Sequence, residues 1–372
     1  MIFNKNKILI TTDWWLITII IFLVTFGLAA IYSVALGRGG SEFDNLQKQI
    51  IWMFFGIILM FIVSLIDYHF WCKISWIGYI VSLILLILVL TPLGSTIKGA
   101  RGWFDLGSAS FQPVELTKIF LILILADFCS RYSRQIYKLK QLFFMGLLAI
   151  IPLSLVIIQP DFGSAMVLFF IWLVSFLLVM QKKWHGLLVF GSIILLFLGA
   201  WFFLLQDYQK DRIKIFLNPE LDPLGRGYNV QQSIIAVGAG KFLGRGLGFG
   251  SQSQLKFIPE SQTDFIFSVI AEEIGFVGVF LILFLFGLFF YRFYRIASRA
   301  PDDFGMFVSI LTAATVFIHV FINSGMCVGL LPVTGISLPF VSYGGSFLLT
   351  MMILVGINLS IYRYEVLLRE LD

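Results

Sequence analysis

The chain has 372 residues, of which 59% are hydrophobic and only 13% are charged. A soluble domain averages about 45–50% apolar and 25% charged residues, so a chain this apolar cannot cover its surface with polar groups and its solvent is lipid. The formal net charge of +5 then reads as cytoplasmic Lys and Arg and excludes a nucleic-acid partner; Cys72, Cys129 and Cys327 lie too far apart for a disulfide framework or a zinc site.

A helix that crosses the hydrocarbon core needs roughly 20 mostly apolar residues. Ten runs meet that need, at about 14–34, 49–66, 73–92, 113–130, 142–158, 164–181, 185–205, 265–291, 304–326 and 345–362. The first is too long for a signal-peptide core and lacks a clean small-residue cleavage site, so it reads as a retained span. The expected architecture is all-α: a polytopic bundle of ten transmembrane helices forming one membrane domain over residues 1–372, with a long extracytoplasmic loop, 206–263, between spans seven and eight. Lys5, Lys7, Arg131, Arg134, Lys138, Lys140, Lys182, Lys183, Arg292, Arg295, Arg299, Arg363 and Arg369 all fall on one side of such a bundle. That side is cytoplasmic, and an even number of spans leaves both termini there.

On the other side, four segments stand out in chain order. The first is Lys98-Gly99-Ala100-Arg101-Gly102-Trp103, followed by Gln112-Pro113-Val114-Glu115-Leu116-Thr117-Lys118. Pro113 suits the first position of a helix, and Glu115 and Lys118, three apart, share one face of it. Both sit in an apolar run, where ionisable groups are costly and line cavities or pathways; the plainer alternative is a neutral packing pair. Trp103 is either an interfacial anchor or part of a substrate groove.

The second segment is the long loop, with Arg212, Asp222-Pro223-Leu224-Gly225, Gly227-Tyr228-Asn229 and a glycine-rich stretch that includes Arg245 and ends at Gly250. Its length and apolar content predict function rather than disorder, with part of it a helix lying along the membrane surface. Gly238-Ala239-Gly240-Lys241 is not a P-loop, since Ile235 and Phe242 stand where Gly and Ser/Thr are required; the glycines serve tight turns or close approach.

In the third, Thr263 and Asp264 precede an apolar run that carries Glu272 and Glu273. In the plain reading Thr263 or Asp264 is a helix cap; in the functional one Asp264 is a general base. Glu272 lies roughly 12 Å further along that helix and about 80° around it. The fourth runs from Leu331 to Ser346, where Pro332, Pro339, Gly335, Gly344 and Gly345 interrupt apolar sequence around Ser342. Non-helical backbone at membrane depth is tolerated only where it is buried or lines a cavity. His319, inside span nine, reads as a hydrogen-bonded packing residue.

These blocks, together with Gln159-Pro160-Asp161-Phe162-Gly163-Ser164, Thr263-Asp264-Phe265-Ile266-Phe267 and Pro339-Phe340-Val341-Ser342-Tyr343-Gly344-Gly345-Ser346, resemble over essentially the whole chain the SEDS family (shape, elongation, division and sporulation), which contains RodA and FtsW. The resemblance implies a ten-span fold in the bacterial inner membrane and a peptidoglycan glycosyltransferase acting on lipid II and on polyprenyl-pyrophosphate-linked glycan. It also implies a class B penicillin-binding protein as transpeptidase partner. It puts the essential aspartate on Asp264, the embedded acid and base on Glu115 and Lys118, and the groove tryptophan on Trp103. Two departures stand out: Gly102 where many members have a second Arg, and Gln262 where many have His. Ser251-Gln252-Ser253-Gln254-Leu255 looks more like the RodA branch, which serves elongation and rod shape.

With that chemistry, Asp264 takes the acceptor hydroxyl proton, and Arg101 and Lys118 stabilise the leaving pyrophosphate, with Arg212 and Arg245 as further candidates and Lys98 as a substrate contact. Glu272, Pro339, Ser342 and Gly345 complete the substrate-contacting set. No metal-ligand spacing is present and the sequence specifies no cofactor, although a divalent cation, Mg or Mn, could share the task of stabilising the pyrophosphate. The competing readings are a lipid II flippase or other transporter and a non-catalytic scaffold. A transporter needs polar groups through the whole depth, whereas here they gather at the outer mouth.

Overall fold

The computed structural model describes residues 11–38, 41–97, 99–105, 107, 110–132, 139–180, 225–255 and 257–370, with isolated positions between 184 and 222. Helices α1 (Trp14–Arg38), α2 (Ser41–Leu65) and α3 (Tyr68–Leu88) are followed by strands β1 (Ser95–Ile97), β2 (Ala100–Asp105) and β3 (Ser110–Phe111). Then come α4 (Pro113–Tyr132), α5 (Leu139–Ile158), α6 (Phe162–Val179), α7 (Arg226–Ala239), α8 (Ser251–Gln254), α9 (Ile266–Arg299), α10 (Asp303–Cys327) and α11 (Gly345–Arg369).

Eight of the described helices are long and apolar enough to cross a membrane. The chain is thus a multi-pass membrane protein. α4 matches another expected span, but Glu115, Lys118, Asp127 and Arg131 make it the most polar of the long helices. The expected seventh span, 185–205, lies outside the described residues except for isolated positions, as does most of 206–224. Side chains such as Phe54, Phe55, Ile77 and Phe280 are exposed; on a lipid-facing surface that exposure costs nothing, whereas in water it would form an aggregation-prone patch.

Two helix edges differ from the apolar runs. α2 begins eight residues before the expected edge at 49, because Ser41–Lys48 continues the helix with Glu42 and Asp44 in its first turn, where they complement the helix dipole. α9 runs on to Arg299, so Arg292 lies within the helix, where it pairs with the fully buried Asp13 at the start of α1. Asp13 also caps α1 by accepting from the Leu16 N–H at 3.1 Å.

The all-α expectation needs one amendment. The segment before α4 is a small antiparallel sheet in the order β1-β2-β3, with Ser95 opposite Trp103 and Phe104 opposite Phe111. This fixes Trp103 on a rigid hairpin.

A second difference lies inside α9. Gly275 has φ 73° and ψ −161° and breaks the helix. The backbone groups freed by that break are satisfied by the glycine-rich turn of the long loop. Phe276 and Val277 donate to the Lys241 and Phe242 carbonyls, at 3.0 and 3.2 Å, while Arg245 and Gly246 donate to the Glu272 and Glu273 carbonyls, at 3.0 and 2.9 Å. Gly244 is needed for that approach, since a β-carbon there would stand 2.2 Å from the Glu273 carbonyl oxygen. The loop is therefore built into the bundle at this turn, and it contains the helix α7.

Candidate active site

A cavity of about 640 Å³ opens at the end of the bundle where α4, α6, α9 and α11 begin, opposite the end that carries Arg131, Arg292 and Arg299. Asp264 lines it, and the backbone around Asp264 is held carbonyl by carbonyl. Tyr343 N–H donates to the Gln262 carbonyl at 2.9 Å. The Ser342 hydroxyl donates to that of Thr263 at 2.6 Å, and the Asn323 amide to that of Asp264 at 2.8 Å. Three consecutive carbonyls so tied fix the backbone that carries the Asp264 carboxylate, part of the preorganisation a reacting group requires. The N-cap position of α9 falls on Phe265, so Asp264 is not that helix's cap. Its Oδ2 lies 3.6 Å from the site a β-carbon would occupy on Gly335, in the interrupted segment between α10 and α11.

Deeper in the cavity wall, Lys118 donates to Glu115 Oε1 at 2.7 Å, the two side chains 1% and 6% exposed. The i,i+3 spacing on α4 brings them together as the helix geometry requires. Lys118 Nζ stands 5.0 Å from the Phe347 ring centroid, and His319 packs on the same ring at 4.8 Å. His319 Nδ1 faces the Ser337 carbonyl at 3.2 Å; a carbonyl only accepts, so Nδ1 carries the proton. His319 is thus both a packing residue and part of the cavity lining.

Trp103 and Gly345 also line the cavity, whereas Arg101, Arg245, Glu272, Pro339 and Ser342 do not. Arg101 spends its Nη2 on the Thr91 carbonyl at 2.9 Å and its backbone N–H on Gln159, bracing the hairpin. Arg245 turns to Ser251 Oγ at 2.8 Å. The Glu272 carboxylate accepts from the backbone N–H groups of Gln252 and Ser253, at 2.9 and 3.0 Å, so it secures α8. Ser342, besides holding Thr263, accepts from Leu338 N–H at 2.8 Å and so closes the buried turn that contains Pro339. These residues support the site from behind. Lys98 and Arg212 lie outside the described residues.

The cavity contains groups to which the sequence alone assigned no site role: Lys48 and Trp52 of α2, Asp161, Asn229, Glu260 and Tyr343. Lys48 escaped because the apolar run of span two starts one residue after it, whereas the helix starts at Ser41. The signal was the 48/52 spacing, which puts a cation and an aromatic on one helix face. Asp161 caps α6 through Ser164 N–H at 3.0 Å and also accepts from Gln112 at 3.1 Å. Asp105, Glu115, Asp161, Glu260 and Asp264 outnumber Lys48 and Lys118 on the lining, so the described cavity is acidic overall with two cations placed within it.

Residues 13–366 match the family described as cell cycle protein and named for FtsW, RodA and SpoVE. The chain is 38% identical over 365 residues to the stage V sporulation protein E of Bacillus subtilis (strain 168), covering 95% of this chain and 97% of that one. It is 37% identical over 362 residues to the peptidoglycan glycosyltransferase MrdB of Escherichia coli (strain K12), covering 96% and 95%. Among solved structures, it superposes with TM-score 0.79 at 32% identity on a chain from work on the structural coordination of polymerization and crosslinking by a peptidoglycan synthase complex, covering 95% and 98%. With the rod shape determining protein RodA of Thermus thermophilus the TM-score is 0.69 at 29% identity, covering 94% and 96%. Matched along nearly its full length in sequence and in fold, this chain belongs to the FtsW, RodA and SpoVE family of cell cycle proteins.

Proposed function

We propose that the chain is a peptidoglycan glycosyltransferase that polymerises lipid II at the extracytoplasmic face of the bacterial inner membrane, with both termini in the cytoplasm. The observation that carries this reading is Asp264, seated on a backbone whose carbonyls are tied at Gln262, Thr263 and Asp264 itself, and lining the same cavity as Lys48, Lys118 and Trp103. The acceptor sugar's 4-hydroxyl attacks the anomeric carbon of the donor glycan. A new C–O bond forms as the bond from that carbon to the polyprenyl pyrophosphate breaks, the pyrophosphate departs with the electron pair, and the hydroxyl proton passes to the Asp264 carboxylate. One displacement of this kind inverts the anomeric centre. Lys48 and Lys118 are the described cations on the cavity wall, and fixed positive charge in a poorly hydrated site stabilises a leaving anion without reorganising. Among the described residues no three His, Cys, Asp or Glu side chains converge to hold a Mg or Mn ion.

The solved relative described as coordinating polymerization and crosslinking supports a class B penicillin-binding protein as partner. We assign the chain to elongation and rod shape on the RodA-like Ser251–Leu255 segment. The test is polymerisation of labelled lipid II by the purified protein with its transpeptidase. Asp264→Ala is expected to lose roughly 10²–10⁴-fold in turnover, the range that general acid–base catalysis contributes. Polymer made equally well by that variant would remove Asp264 from the mechanism. Lipid II flipping by the purified protein without polymer would replace the reading with transport.

A further inference from the structure

Trp52 sits on α2 one turn after Lys48, half-buried, and lines the cavity beside Gly345. Tryptophans at the edge of a membrane protein are commonly lipid anchors, but the lipid-facing side of α2 is Ile50, Ile51, Phe54 and Phe55, all exposed. The seat of Trp52 is specified from two directions. Gln49, on the same helix, donates to the Ser342 carbonyl at 3.3 Å and accepts from Gly344 N–H at 3.1 Å, locking α2 to the start of α11. The indole then lies over the bare backbone of Gly345: a β-carbon there would fall 2.6 Å from Cε2 and Nε1. Only glycine leaves room for the ring in this position.

We propose that Trp52 is a saccharide-stacking platform, a substrate-binding residue for the sugar ring processed beside Asp264, and that Gly345 is the residue that positions it. A pyranose is amphipathic, with C–H groups on its faces and hydroxyl or amide groups at its edge. A rigid indole suits the face, and Asn229, Asp161 and Glu260 on the same cavity wall suit the edge. The inference rests on the polymerase reading above.

The experiment compares Trp52→Leu, Trp52→Phe and Gly345→Ala in the full-length protein with its transpeptidase. It measures KM and kcat for lipid II polymerisation and, separately, lipid II affinity in nanodiscs by native mass spectrometry. Trp52→Leu keeps an apolar side chain but no ring; it is expected to raise KM and Kd about tenfold with kcat within about twofold. Trp52→Phe should recover most of that loss. Gly345→Ala should match Trp52→Leu, and the double variant should be no worse than either single one, because both remove the same contact. Unchanged KM and Kd in Trp52→Leu overturn the proposal, as does a fall in kcat at constant KM. A wild-type protein that makes no polymer counts against the polymerase reading, while the affinity comparison still decides the role of Trp52.

Discussion

The Glu115–Lys118 pair shows how a single contact constrains the site. Both groups are nearly inaccessible and 2.7 Å apart. Removing two charges from water is costly, and their mutual attraction offsets that cost only while both are present. Lys118→Met alone would strand a buried carboxylate, and Glu115→Gln alone a buried ammonium group. Each is expected to destabilise the protein by about 3–5 kcal/mol, read as a lowered unfolding midpoint in detergent. The double variant Glu115→Gln/Lys118→Met should recover much of that loss while remaining poor in turnover, because the cation near the leaving group is gone. Recovery of both stability and turnover would reduce the pair to packing.

At the scale of elements, the break in α9 joins the glycine-rich turn of the long loop to the helix that follows Asp264. Gly275 occupies a region of backbone space that is essentially confined to glycine, where other residues cost of order 1–3 kcal/mol. A β-carbon there would also meet the Gly244 nitrogen at 2.3 Å. Gly275→Ala is therefore expected to destabilise by at least roughly 2 kcal/mol and to expose the 241–246 turn to protease. Gly287, in the same helix, has open space around its missing side chain; Gly287→Ala should be neutral or slightly stabilising, since Ala is the better helix former. Equal behaviour of the two variants would mean that the turn does not hold the break.

The whole molecule has a sidedness that both the site and the proposed reaction need. Asp264, Glu115 and Trp103 lie at one end of the bundle, and Arg131, Arg292 and Arg299 at the other. Single cysteines introduced at Gly107 and at Ser298, in a chain lacking Cys72, Cys129 and Cys327, should react from opposite sides of the membrane in intact cells, the first with an impermeant maleimide added outside. Labelling of the Gly107 position only after permeabilisation would place the cavity on the cytoplasmic side and remove the proposed substrate from reach.

The amino-acid sequence alone determined the class of solvent, the positions of most spans and the blocks that carry the resemblance. Hydrophobic runs and Lys/Arg asymmetry are local signals that each segment carries by itself. The Glu115–Lys118 contact was legible for the same reason, since three residues on one helix fix their own geometry. The membership of the cavity was not. Arg101, Arg245 and Glu272 have the charge for a binding role, yet the fold spends them on the Thr91 carbonyl, Ser251 and the start of α8. Lys48 falls one residue before the second apolar run and Trp52 just inside it, and only the packing of α2 against α11 puts both on the cavity. Which polar group faces a cavity, and which satisfies a backbone atom behind it, depends on how segments from 6 to 295 positions apart fold together, and only the tertiary structure supplies that.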